Sequence, residues 1–303
     1  MKLSKGKEEV LGYDLDSDSE EVGPGPRLVL SGYSFIRELG SGAFGSVYLM
    51  KRKSDGEKVA VKTIKIPDPQ TEQFVMKEVG YLTAISEPCN LYLACLYNFQ
   101  KVGGLLILEM EYIPGDELGK FFKKLKGNPN FYNAAFGALG DVSKGLTYLH
   151  SKQIIHRDIK PENIIVRGSG SSIVPVLVDL GLACMPKSIC AVKDATGKYV
   201  PKKCCEGTAG SIVFMAPETL LNSEAFYESD MFSLGATIYD CVTGQEIYPL
   251  DLNTAEEIQG FARYKNFPKL ESPHAMLNEV VNNLLQKDPA LRFSAKRVAE
   301  LVG

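Results

Sequence analysis

The stretch that decides the fold is Ile155-His156-Arg157-Asp158-Ile159-Lys160-Pro161-Glu162-Asn163-Ile164-Ile165-Val166. Eight residues, seven of them polar or turn-forming, sit between Gln-Ile-Ile and Ile-Ile-Val. A lone His-Arg-Asp reads equally well as a surface turn. A polar loop pinned between two buried strands reads differently: it presents Asp158, Lys160 and Asn163 together, as chemistry requires and packing does not. Further on, Val176-Leu-Val-Asp179-Leu-Gly181 repeats the arrangement, with an apolar strand delivering one carboxylate at a glycine turn. Asn163 and Asp179 supply hard oxygen ligands of the kind magnesium takes.

Upstream, Leu39-Gly-Ser-Gly-Ala-Phe-Gly-Ser-Val47 lies between two strand-like runs, and Gly40, Gly42 and Gly45 fit G-x-G-x-x-G. Glycine lets backbone amides approach a polyphosphate. A glycine-rich hairpin turn is the alternative reading. A strand, not a helix, follows the third glycine, which argues against a dinucleotide fold. Val59-Ala-Val-Lys62 ends an apolar strand in one lysine. Turned inward, that lysine needs an anion, and Glu78 on the next helix can supply it. Turned outward, Lys62 is an ordinary strand end.

The rest of the chain divides by texture. Residues 33–66 carry short β-branched and aromatic runs broken by glycine. Residues 71–86 read as a helix, with Phe74, Val75, Val79, Leu82 and Ile85 along one side, and Leu105–Glu111 as a further strand. Beyond about residue 118 helices dominate, with stripes such as Phe136, Leu139, Val142, Leu146 and Leu149. A small strand-rich half and a larger helix-rich half predict an α+β fold of two lobes with a cleft between them.

Composition narrows the classes. The chain has 303 residues and a net charge of −3, near the globular average in hydrophobic and charged content. Residues 1–27 hold four basic and seven acidic side chains, so the whole imbalance lies there. Residues 1–32 are therefore expected to be an acidic, disordered tail. Charge balance disfavours a nucleic-acid partner. No apolar run approaches a membrane span, and no secretion or lipid-anchor signal is evident, so no membrane partner is expected. Seven cysteines with no repeated spacing read as reduced thiols in an intracellular chain, cytoplasmic or nuclear.

Taken together the motifs resemble the eukaryotic-type protein kinases, serine/threonine branch. They come in family order: the glycine loop, Ala-Val-Lys62, Glu78, His156 to Asn163, Asp179-Leu-Gly, Met215-Ala-Pro-Glu218, Asp230 and Arg292. The resemblance implies a kinase domain over 33–303. Its N-lobe, 33–112, would be a small antiparallel sheet with one main helix. Its C-lobe, 113–303, would be larger and mainly helical, with an activation segment at 179–218. It implies transfer of the γ-phosphate of ATP to Ser/Thr hydroxyls of protein substrates, with Mg2+. Leu39, Gly40, Ser41, Gly42, Ala43, Phe44, Gly45, Ser46 and Val47 would cover the nucleotide. Lys62 would hold its phosphates, steadied by Glu78. Asn163 and Asp179 would bind the metal. Asp158 would accept the substrate proton, with Lys160 at the γ-phosphate, and Ser211, five before Ala216, would be the usual hydroxyl residue of the serine/threonine branch. Ala60, Met110, Glu111, Ile113, Glu117 and Ile165 would enclose adenosine. Glu218 and Arg292 would form a buried ion pair, and Asp230 would brace the catalytic loop.

Two features depart from the family pattern. Leu180 replaces the usual phenylalanine after Asp179, and Phe232 replaces a tryptophan. The activation segment is also long, and residues 185–205 hold five lysines against one aspartate, with Cys190, Cys204 and Cys205. That insert reads as a mobile basic loop with incidental thiols, attractive to acidic substrates or to the chain's own tail. Arg157 suggests control by phosphorylation of Ser188, Thr196, Tyr199 or Thr208. The sequence carries no sign of oligomeric state.

Overall fold

The computed structural model describes residues 30–42, 45–169, 172–193, 196, 198–252 and 254–303. The acidic residues of the N-terminal stretch lie outside these, as do Ala43 and Phe44. The chain forms two compact units: Met1–Pro88 with Ala94–Ile113, and Cys89–Leu93 with Pro114–Gly303.

The first unit is an antiparallel sheet with a helix. Strands β1 (Tyr33–Gly42), β2 (Gly45–Arg52), β3 (Lys58–Lys65), β4 (Leu96–Val102) and β5 (Leu105–Glu111) run in the order β1-β2-β3-β5-β4. Their alternating β-branched residues bury Met50, Val59, Val61 and Ile107 with Leu30. Helix α1 (Pro69–Ile85) starts where Asp68 accepts the N–H groups of Gln70 and Thr71, each at 2.8 Å, with proline in the first turn. Its buried side holds Val75, Val79, Leu82 and Ile85 as expected. Phe74 is instead exposed, and Glu78 is buried. An apolar stripe count put the phenylalanine inside because it could not see that a charge needed that face.

The second unit is mainly helical. It comprises β6 (Gly115–Glu117), α2 (Leu118–Leu125), α3 (Phe131–Ser151), β7 (Ile164–Ser169), β8 (Ser172–Leu177), β9 (Ser188–Lys193) and β10 (Tyr199–Glu206). Then follow α4 (Pro217–Asn222), β11 (Glu224–Ala225), α5 (Tyr227–Thr243), α6 (Ala255–Tyr264), α7 (Ala275–Leu284) and α8 (Ala295–Val302). Every residue of α5 from Ser229 to Tyr239 is buried, so this helix is the unit's axis. Helix α3 buries Leu139, Val142, Leu146 and Leu149. Two small sheets, β6-β7-β8 and β11-β10-β9, complete it.

The insert corrects the sequence reading. Residues 185–205 contain two paired strands, β9 and β10, where a mobile loop was expected. Their cysteines are not incidental thiols: Cys184 is bonded to Cys205 and Cys190 to Cys204. Cys89 and Cys95 are disulfide-bonded as well, and Cys241 is a free thiol. Irregular spacing along the chain concealed pairing that the hairpin register creates. The cysteine argument for an intracellular chain falls with the reduced-thiol reading.

Candidate active site

In the first unit the site begins with the end of β1 and the start of β2. Side chains added at Gly40 or Gly42 would meet nothing within 4 Å, so the backbone there lies open. Gly45 is different: its φ is +149°, and a Cβ would strike the Thr63 carbonyl of β3. Only glycine lets β2 start so close to its neighbour. Pairing of β2 with β3 sets Val47 beside Lys62, and pairing of β3 with β5 sets Ala60 beside Met110. Lys62 turns inward, its Nζ 2.7 Å from Oε1 of the buried Glu78. Leu39, Val47 and Ala60 are half-buried, whereas Met110 and Ile113 are buried. Walls of a pocket have this character: core on one side, accessible on the other.

In the second unit the decisive stretch is the connection from α3 to β7. Ile155 is fully buried and exchanges two backbone hydrogen bonds with Cys184. Asp230, at the buried start of α5, accepts the N–H of His156 and of Arg157, each at 2.9 Å, and lies 2.9 Å from His150 Nε2. These bonds hold Arg157 at φ +71°, a strained value for a side chain. The sharp bend throws Asp158 forward. Its Oδ1 accepts the N–H and the hydroxyl of Ser211, each at 2.9 Å. Its Oδ2 lies 2.9 Å from both Lys160 Nζ and Asn163 Nδ2. Lys160 also donates to Ser211 Oγ at 2.9 Å. Four side chains from two distant stretches thus form one hydrogen-bonded cluster.

Asn163 spends its amide hydrogens on the side chain and carbonyl of Asp158. Its carbonyl accepts the N–H of Val178 at 2.9 Å, which sets Asp179 beside it. Asp179 has φ +64° and accepts the N–H of Gly181 at 3.0 Å. Leu180 behind it is buried. Ile165, half-buried on β7, pairs with Glu117 on β6, and Glu117 is bonded to Lys120 at 2.8 Å.

Sequence reasoning missed Gly210 and His150. The φ of Gly210 is +111°, and a Cβ there would collide with the Arg157 carbonyl, so it fixes the approach of Ser211 to Asp158. A glycine immediately before the expected hydroxyl residue was the available signal. The expected Glu218–Arg292 pair is present, bidentate at 2.7 and 2.8 Å with Arg292 fully buried.

A model of the protein kinase domain matches residues 33–301, nearly the whole chain. The chain belongs to the protein kinase family. Curated relatives include the serine/threonine-protein kinase ATG1a of Arabidopsis thaliana, 29% identical over 86% of this chain and 40% of its own length. Mitogen-activated protein kinase kinase 1c of Physcomitrium patens is 28% identical over 76% of this chain and 62% of its own length. Inhibitor of nuclear factor kappa-B kinase subunit alpha of Gallus gallus is 27% identical over 80% of this chain but 30% of its own length. The kinase described here therefore spans between about a third and two thirds of these relatives.

Proposed function

We propose that this kinase transfers the γ-phosphate of ATP to Ser/Thr hydroxyls of protein substrates in a Mg2+-dependent reaction, and that its activation segment controls the rate. The observation that carries this reading is the cluster around Asp158. A carboxylate held by Ser211, Lys160 and Asn163 is fixed in direction before substrate arrives. Such a group orients an acceptor hydroxyl and takes its proton late, and positioning supplies most of the rate. Lys160 brings a cation to the same point, suited to the γ-phosphate. Lys62, steadied by Glu78, suits the α- and β-phosphates, and the open backbone at Gly40 and Gly42 suits their oxygens.

The donor set fits a magnesium ion. The Asn163 carboxamide, with its N–H groups engaged, presents Oδ1, and Asp179 adds a carboxylate. When bound, the ion neutralises phosphate charge. Leu39, Val47 and Ala60 would flank adenine, with the backbone of Glu111 and Ile113 bonding its edge.

Control by phosphorylation centres on Thr208. Arg157 donates to the carbonyl of Gly207, and the next residue, Thr208, is exposed with its hydroxyl 2.9 Å from Ser223 Oγ. A phosphate on Thr208 would compete for that guanidinium.

The test is incubation with labelled ATP and magnesium beside Asp158→Asn and Lys62→Met controls. Label should reach protein with the wild type and fall at least about a hundredfold with either variant. Transfer unimpaired in Lys62→Met would remove the phosphate assignment. Full activity after phosphatase treatment, matched by Thr208→Ala, would remove the control.

A further inference from the structure

The hairpin β9–β10 has two unlike faces. Cys190, Cys204 and Val192 lie against Phe226 on the inner one. Strand alternation therefore turns Ile189 and Ala191 to the outer face, where the register places them opposite Lys203 and Pro201. Ile189 is 64% exposed, and Ala191, Pro201 and Lys203 are exposed too.

Among the described strands, β9 is paired on one side only, in the order β11-β10-β9. The proline opposite Ala191 shows which backbone groups its other side carries. Pro201 has no N–H, so this pair belongs at a non-hydrogen-bonded position of the ladder. A residue at such a position points its own N–H and C=O away from its partner strand. Ala191 does so, and Ile189, two residues back, does the same. The outer edge of β9 thus offers donors and acceptors beside a small apolar face.

Its charge is one-sided. Residues 185–205 hold five lysines against one aspartate. Lys202 is committed to Glu228 at 2.6 Å, while Lys187 and Lys203 are exposed and form no ion pair among the described residues. The two disulfides fix the strand before any partner arrives, which removes ordering cost from binding. Lysines on an edge repel another basic strand, but they attract an acidic one.

We propose that β9 is a docking edge for an acidic, extended segment of the protein substrate, which adds as a fourth strand alongside Ile189 and Ala191. Main-chain hydrogen bonds give affinity in such additions, and alternate side chains give selectivity. The segment would place carboxylates near Lys187 and Lys203, and apolar residues against Ile189. The proposal rests on the kinase reading and names the substrate class for it.

The experiment compares three peptides that share one acceptor serine. One is short, one carries an extension of alternating aspartate and valine, and one carries that extension N-methylated at every second residue. The extension should lower KM about tenfold with kcat unchanged, and N-methylation, high salt or Ala191→Pro should each reverse the gain. The N–H that Ala191→Pro removes is one that β10 does not use. An extension that leaves KM unchanged overturns the proposal, as does a gain that survives N-methylation; neither result requires a folded variant. Fluorescence anisotropy of the labelled extension, without ATP, separates the two readings. Binding without phosphate transfer to any peptide sustains the docking edge and sinks the kinase assignment, whereas transfer without binding does the reverse.

Discussion

Asp158 is the residue whose surroundings make the strongest demand, because its orientation depends on groups that never touch a substrate. Gly210 is one. Replacing it with alanine puts a methyl group against the Arg157 carbonyl at a φ of +111°. Ser211 must then shift, and with it both bonds to Asp158 Oδ1. Gly210→Ala should lower kcat about ten- to a hundredfold with KM for ATP nearly unchanged, measured by steady-state kinetics. An unchanged kcat would show that the Ser211 contact is dispensable. Arg292 makes a different demand. Its guanidinium is buried against Glu218 and lies over the Phe232 ring at 4.9 Å. Arg292→Met strands the Glu218 charge and should cost about 3–5 kcal/mol of stability in urea unfolding. Adding Glu218→Leu should restore part of that loss, since the cost is the unpaired charge more than the missing bond.

Helix α5 and the hairpin β9–β10 show what an element adds. Asp240 lies in the last turn of α5, where the carbonyl end of the helix already disfavours a negative charge. Burial pushes its carboxyl up from the usual range, with Glu246 and Glu162 adding to the effect. A raised carboxyl pKa means the folded state holds its proton more tightly than the unfolded chain, so stability is greatest in acid and falls as pH rises through the folded value. Asp240→Asn should therefore raise the Tm at neutral pH, and the advantage should vanish near pH 3. The hairpin yields a second expectation. Peptide mapping without reductant should recover the 184–205 and 190–204 links, and Cys190→Ser should weaken the hairpin's hydrogen-exchange protection. Element types were legible where a period was long and unmixed, as in α3 and the strands of the first unit. The hairpin was not, because Lys202 and Lys203 dilute the strand alternation, and a charged insert reads as loop. Likewise Lys62 and Glu78 were recognisable as a pair from motif order, but the burial of Glu78 in place of Phe74 was not, since only packing decides which face of α1 turns inward.

Across the whole molecule, the residues assigned to chemistry fall into two sets on separate units. Lys62 and Glu78 belong to the first, and Asp158, Lys160, Asn163, Asp179 and Ser211 to the second. Each set makes bonds of its own: the lysine has its carboxylate, and the aspartate has its hydroxyl, lysine and amide. Residues that serve a single transition state lose their effects non-additively, because removing one already forfeits what the others contribute. If both sets act on one phosphoryl transfer, Lys62→Met combined with Asp158→Asn should be hardly slower than the worse single variant in single-turnover assays. Two sets acting on separate steps would instead multiply their losses. The comparison needs no structure of a complex, and it asks the molecule directly whether its two units share one chemical event.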